Sequence, residues 1–149
     1  MPEFRFHLET LLRLRRITRD ECRLRLAESQ RADAALQEQL SALAAESNRL
    51  RAQCREVTGP GVVDLDRLAG AERYATLLRT KQDELQRARE TLAVEIQSRR
   101  AALLEADRDA KALEKLRERQ KHRHRREAER HEMKRLDEAI MPRYSARCA

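Results

Sequence analysis

The side chains with most chemistry to offer crowd into residues 117 to 126, "RERQKHRHRR", where five Arg and one Lys stand against a single Glu. His122 and His124 lie two apart, which on a helix turns them to different faces. His124 and His131 lie seven apart, about 10 Å along a helix axis. Neither spacing holds an ion between two imidazoles, so these histidines read as solvated helix residues and no metal site is expected. Cys22, Cys54 and Cys148 match no metal spacing either. On a continuous helix Cys22 and Cys54 would stand about 48 Å apart, beyond the reach of a disulfide. An odd, scattered set of cysteines points to reduced thiols, with Cys22 and Cys54 as small packing residues. There is no glycine-rich phosphate loop, no nucleophile motif and no pocket-forming carboxylate pair, so neither an enzyme nor a cofactor is expected. What remains is charge. The formal net charge is +7, and its concentration in one stretch favours an acidic partner: nucleic acid, an anionic membrane or an acidic protein surface.

The elements that must carry these residues follow from composition. Charged residues make up 40% of the 149 and aromatics 3%, with no Trp, so a compact core has too few large side chains to fill it. Chains of this kind form long helices or coiled coils. The strong interior breaker is "TGPGVV", Thr58 to Val63, where a proline between two glycines stops a helix. Asp64 can cap the helix that follows, which can run to Pro142 with Gly70 as a weak spot. The expectation is a single all-α coiled-coil domain: a two-helix antiparallel hairpin, with helix 1 over about 4–57, a turn at 58–63, a longer helix 2 over about 64–140 and a flexible tail at 141–149. The alternative is one long parallel dimer with a kink, but two aligned breaks would weaken such a rod. A hairpin could also dimerise.

Heptad spacing predicts which faces meet. In helix 1, Leu36, Leu40, Leu43, Ser47, Leu50, Cys54 and Val57 alternate in steps of four and three. Extended backward this seam meets Asp33, Ser29, Leu26, Cys22, Arg19 and Arg15. Leu11, Leu14 and Leu24 lie off it, which predicts a local shift of the seam between residues 15 and 33. In helix 2, Tyr74, Leu78, Lys81, Leu85, Ala88 and Leu92 form one set. Ile96, Arg99, Leu103, Ala106, Ala110 and Leu113 form another, joined by a stutter.

A hairpin turning near residue 60 sets Val57 against Val63 and Phe4 against about Leu116. Residues 117 to 140 should then project alone as about 35 Å of single helix. Charge pairs four apart, such as Arg123 with Glu127, support such a helix only weakly. Met133, Leu136 and Ile140 restore an apolar strip near its end, a candidate docking surface. Nucleic-acid binding by the basic stretch is an alternative reading. Against it, basic zippers set their basic region before a parallel dimer, and the stretch has no Asn for base edges and no aromatic for stacking. A solvated charged face without a partner is the bland reading. Membrane-surface binding is weaker, since no bulky apolar face opposes the charges.

The segments "FRFHLETLLRLRRITRDECRLRLAESQ", "ERYATLLRTKQDELQRARE" and "ALEKLRER…EAERHEMKRLDEA" resemble the flagellar export protein FliJ family, over Phe4 to Ala139. The more specific features are the Phe-x-Phe-x-Leu opening with its following Leu-Leu-x-Leu-Arg, the mid-chain Gly, Leu113-Glu114-Lys115-Leu116, Lys134 and Leu136-Asp137-Glu138. The resemblance implies a cytoplasmic, non-enzymatic antiparallel coiled coil, peripheral at the membrane export apparatus and similar to the central stalk of rotary ATP synthases. Its implied partners are the type III export ATPase ring (FliI), the export gate protein (FlhA) and, in some members, export chaperones. It makes Arg117, Arg119, Lys121, Arg123, Arg125 and Arg126 candidates for ring binding. Tyr74 and Leu78 match the spacing of the family's gate-binding aromatic and Leu, with Tyr in place of the usual Phe; ordinary seam packing of the two stays open beside this. The equivalent stalk of a virulence-type secretion system is a further alternative.

Overall fold

In the computed structural model the chain folds into two helices, α1 (Glu9–Val57) and α2 (Leu65–Ser145). Residues 3–59 and 61–145 are described, with side chains as far as Ile140. Pro60 of the expected break and residues 146–149 of the expected tail, Cys148 among them, lie outside the described residues. Two boundaries differ from the expectation. α1 begins at Glu9 rather than near Phe4, because Phe6 is buried and its carbonyl accepts the Glu9 amide at 3.1 Å, closing a turn that precedes the helix. α2 runs past Pro142 to Ser145. A proline this close to a helix end removes one hydrogen bond where few remain to lose.

The connection is built by capping. Thr58 donates its amide and its hydroxyl to the carbonyl of Cys54, at 3.1 and 2.8 Å, and so closes α1. Asp64 opens α2: its Oδ1 accepts the amides of Asp66 and Arg67, both at 3.2 Å. Neither Gly59 nor Gly61 adopts a positive φ, so the glycines do not serve as left-handed residues here. Removing the Asp64 carboxylate leaves two amides at the start of α2 without a protein partner. Asp64→Ala is therefore expected to cost about 0.5–2 kcal/mol, read as a lower thermal or urea midpoint.

The chain divides into two units, Met1–Glu21 with Leu104–Ala149, and Cys22–Leu103. In the second unit, Arg99 donates to the Arg25 carbonyl, Arg89 to Asp33 and Gln37, and the Tyr74 hydroxyl to Glu46. In the first, Asp109 pairs with Arg15 at 3.1 Å, Glu114 with Arg16 at 2.8 Å and Arg117 with Glu9 at 3.2 Å. In the second unit the partners descend along α1 as they ascend along α2, and in the first Arg15 and Arg16 meet Asp109 and Glu114 while the earlier Glu9 meets the later Arg117, so in each the helices pack antiparallel, as a helical hairpin.

The seams hold a steadier register than apolar spacing predicts. From Cys22 to Cys54 the sheltered residues of α1 step by four and three, through Ser29 and Asp33. The expected shift is confined to the start of its window, where Arg16 is sheltered in place of Arg15, and Arg16, Arg19 and Cys22 follow in two steps of three. Ser29 is only 3% exposed, and its hydroxyl donates to the Arg25 carbonyl at 3.1 Å. Leu14 and Leu24, expected to pull the seam aside, are exposed. In α2 the expected stutter is absent. Ala75, Leu78, Gln82, Leu85, Arg89, Leu92 and Ile96 keep one heptad register, while Tyr74, Lys81 and Ala88 lie outside it. Polar residues can occupy a seam when the facing helix satisfies them. Arg89 does so with Asp33, its Nε 2.9 Å from one carboxylate oxygen and its Nη2 3.3 Å from the other.

That pair makes stability depend on pH in a definite sense. The hydrogen bond from Arg89, aided by its charge, holds the Asp33 carboxyl below its ordinary value. A depressed folded value means a contribution that is complete above the unfolded value, about 3.9, and lost as pH falls through the folded one. Asp33→Asn should lower the melting temperature at neutral pH, and the gap to the natural protein should close on titration into acid.

Candidate functional site

The basic stretch is carried by α2 in the unit formed by Met1–Glu21 and Leu104–Ala149. It does not stand bare from residue 117 as expected. Arg117 is held by Glu9, Gln120 and His124 are half-buried, and the His124 ring lies 5.7 Å from that of Phe4. The expectation set Phe4 opposite Leu116; the structure sets it further along α2. The reason is the rise of the chain. Residues before α1 are not helical, and an extended residue advances about 3.3 Å against 1.5 Å in a helix. A few residues of extended chain therefore cover roughly two turns of α2. The fully uncovered part begins later, and from Glu129 to Ile140 every residue is exposed.

Covering one face leaves the others open. Arg119, Lys121, Arg123, Arg125 and Arg126 are exposed and form no ion pair among the described residues. They divide between two flanks. Arg119, His122, Arg123, Arg126 and Arg130 line one shallow groove with Glu127. Arg117, Lys121, His122 and Arg125 line another with Glu118. Of the six basic candidates, five are thus free to meet a partner and Arg117 is engaged within the chain. Cations in this state hold no internal ion pair, so a carboxylate or phosphate can engage them without breaking one.

Tyr74 and Leu78, in the unit Cys22–Leu103, are placed differently from each other. Leu78 is 2% exposed and belongs to the seam, whereas Tyr74 is 40% exposed on its flank. The Tyr74 hydroxyl donates to Glu46 across the hairpin, and the carboxylate beside it pushes the phenol's pKa up. The leucine exposed near Tyr74 is Leu77, at 48%. Apolar spacing misses it because it counts Tyr74 as a seam residue; the three-four pattern through Ala75 and Gln82 would have found it.

Among the described residues no three His, Cys, Asp or Glu side chains gather as a metal-ligand set. No described helix is long and apolar enough to cross a membrane. The family model described as "Flagellar FliJ protein" matches residues 4–148, nearly the whole chain. No curated protein and no solved structure gives a match.

Proposed function

Because the chain belongs to the flagellar FliJ protein family, a component of the flagellar export apparatus, we propose that it is the non-enzymatic stalk of that apparatus, binding the ring of the export ATPase (FliI) through the basic end of α2. The observation that carries this reading is the set of exposed cations at Arg119, Lys121, Arg123, Arg125 and Arg126, without an ion pair among the described residues on a helix that is sheltered along one face only. The stalk works by geometry. A single helix end contacts several ring subunits, favours their assembly and passes their nucleotide state to the membrane export gate (FlhA). It sits at the cytoplasmic side of the export apparatus, and export chaperones are further partners.

At the gate-binding position, Tyr74 is the residue that meets the partner. Leu78 supports it from the seam beneath, since only the tyrosine has surface to offer. Binding at the basic end should be strongly salt-sensitive, because exposed charges are screened within about 10 Å at 0.1 M salt.

The test is stimulation of the export ATPase by the purified chain, without nucleic acid, across a salt titration. Stimulation that fades as salt rises supports the reading. No stimulation, together with a shift of labelled DNA or RNA that weakens steeply with salt, would make the protein a nucleic-acid binder instead.

A further inference from the structure

The basic residues and the apolar strip near the end of α2 form one continuous pattern. Arg119, His122, Arg126, Glu129, Met133, Leu136 and Ile140 follow one another in alternating steps of three and four, a heptad stripe of their own. Every one of them is exposed. Sheltered positions of the same helix are Arg117, Gln120 and His124, Arg117 held by Glu9 of α1 and His124 lying against Phe4 ahead of it. The stripe lies two residues out of phase with these, about 200° around the axis, so it runs along the opposite side of α2. Arg119, His122 and Arg126 border the same shallow groove, which places them on a common face independently of the spacing.

We propose that this outward stripe is a second coiled-coil face, and that it docks an amphipathic helix of a partner protein bearing carboxylates along one part and apolar side chains along the other. The carboxylates meet Arg119 and Arg126; the apolar side chains meet Met133, Leu136 and Ile140. Charge and order select this occupant. A second copy aligned in parallel would set Arg119 on Arg119 and Arg126 on Arg126, like charges at the seam. Aligned antiparallel about the middle of the stripe, it would set guanidinium groups against Met133 and Ile140. Nucleic acid offers phosphates to the first half and nothing to the apolar half. A membrane surface wants cations flanking an apolar face along a whole helix. Here cations and apolar groups succeed one another along the axis. Only a partner whose own pattern changes from acidic to apolar satisfies the whole stripe.

This inference rests on the stalk reading solely in taking the export ATPase as the partner, so two probes are used. The full chain is titrated with the purified ATPase, and separately with a synthetic amphipathic peptide. The peptide carries Glu opposite Arg119 and Arg126, and Leu opposite Met133, Leu136 and Ile140. Three variants are compared: Arg119→Glu with Arg126→Glu; Met133→Ser with Leu136→Ser and Ile140→Ser; and Lys121→Glu with Arg125→Glu on the other flank. All the altered residues are exposed, and circular dichroism checks that each variant folds.

The first two variants should each weaken both ligands by about tenfold or more, whereas the third, which also removes cations of the proposed ring contact, should weaken the peptide by no more than about threefold. Equal losses of peptide binding from the first and third, or no loss from the second, overturn the outward face while leaving ATPase binding standing. Peptide binding with these losses, in a chain that does not bind the ATPase, keeps the face and removes the stalk reading. A peptide that does not bind overturns the face. So does tighter capture of the chain by phosphatidylglycerol vesicles than by the peptide.

Discussion

Leu78→Ala is expected to destabilise the protein by about 2–5 kcal/mol, while Leu77→Ala, one residue away, should change stability by no more than about 0.5 kcal/mol. Leu78 is sealed in the seam at 2% exposure, so truncation removes its contacts and leaves a cavity that two long helices can close only by bending. Leu77 lies on the flank, where water replaces what is removed. The same contrast should appear in the other unit between Leu12, fully buried, and Leu14, at 57% exposure. Urea unfolding followed by circular dichroism gives the size of each effect, and amide hydrogen exchange gives its location. Leu78→Ala should speed exchange in residues 22–103, and Leu12→Ala in the unit of Met1–Glu21 and Leu104–Ala149. Because each pair compares the same residue type on the same helix, intrinsic helix propensity cancels and the difference reports the register. Equal effects within each pair would mean that the seam is not where the structure puts it.

The second large effect concerns charge. Replacing Arg119, Arg123 and Arg126 together by Glu turns the richest basic flank acidic. Since none of the three makes an ion pair among the described residues, folding should be nearly unchanged, with circular dichroism and melting temperature close to those of the natural protein. Affinity for the export ATPase at low salt should fall about a hundredfold or more, mostly through slower association, because concentrated charge raises encounter rates by about 10–10³. The loss should shrink as salt rises and screening reduces attraction and repulsion alike. Surface plasmon resonance at several ionic strengths separates the two rates. An unaltered association rate would remove the electrostatic basis of the proposed ring contact, whatever the fate of the stalk reading itself.

The placement of exposed apolar residues bears on both results. Leu14, Ile17 and Leu24 of α1 are all exposed although a count of apolar residues would bury them. Their positions inside the helix are taken by Arg19, Cys22 and Ser29, which are sheltered. A hydrophobic tally along one helix treats each polar seam residue as a defect. In the hairpin, Asp33 meets Arg89 and Ser29 meets its own backbone, so the defects are satisfied and the register is kept. Satisfying polar groups in pairs also limits the alternatives, because a one-turn slip of α1 along α2 would part Asp33 from Arg89.

Much was legible in the amino-acid order alone: two long helices, the break at Thr58, Asp64 as the cap of α2, antiparallel pairing, and a basic stretch on the longer helix. These are local properties, set by helix propensity, capping chemistry and the arithmetic of a turn between two arms. Only the tertiary structure decided the seam of α2 through Gln82 and Arg89, the exposure of Tyr74 beside a buried Leu78, and the cover that residues before α1 lay over α2 as far as His124. Each of these depends on a partner across the hairpin or on how fast the chain advances in space. A polar residue enters a seam when the opposite helix answers it, and an extended residue reaches about twice as far as a helical one. Neither condition can be read from one strand of letters.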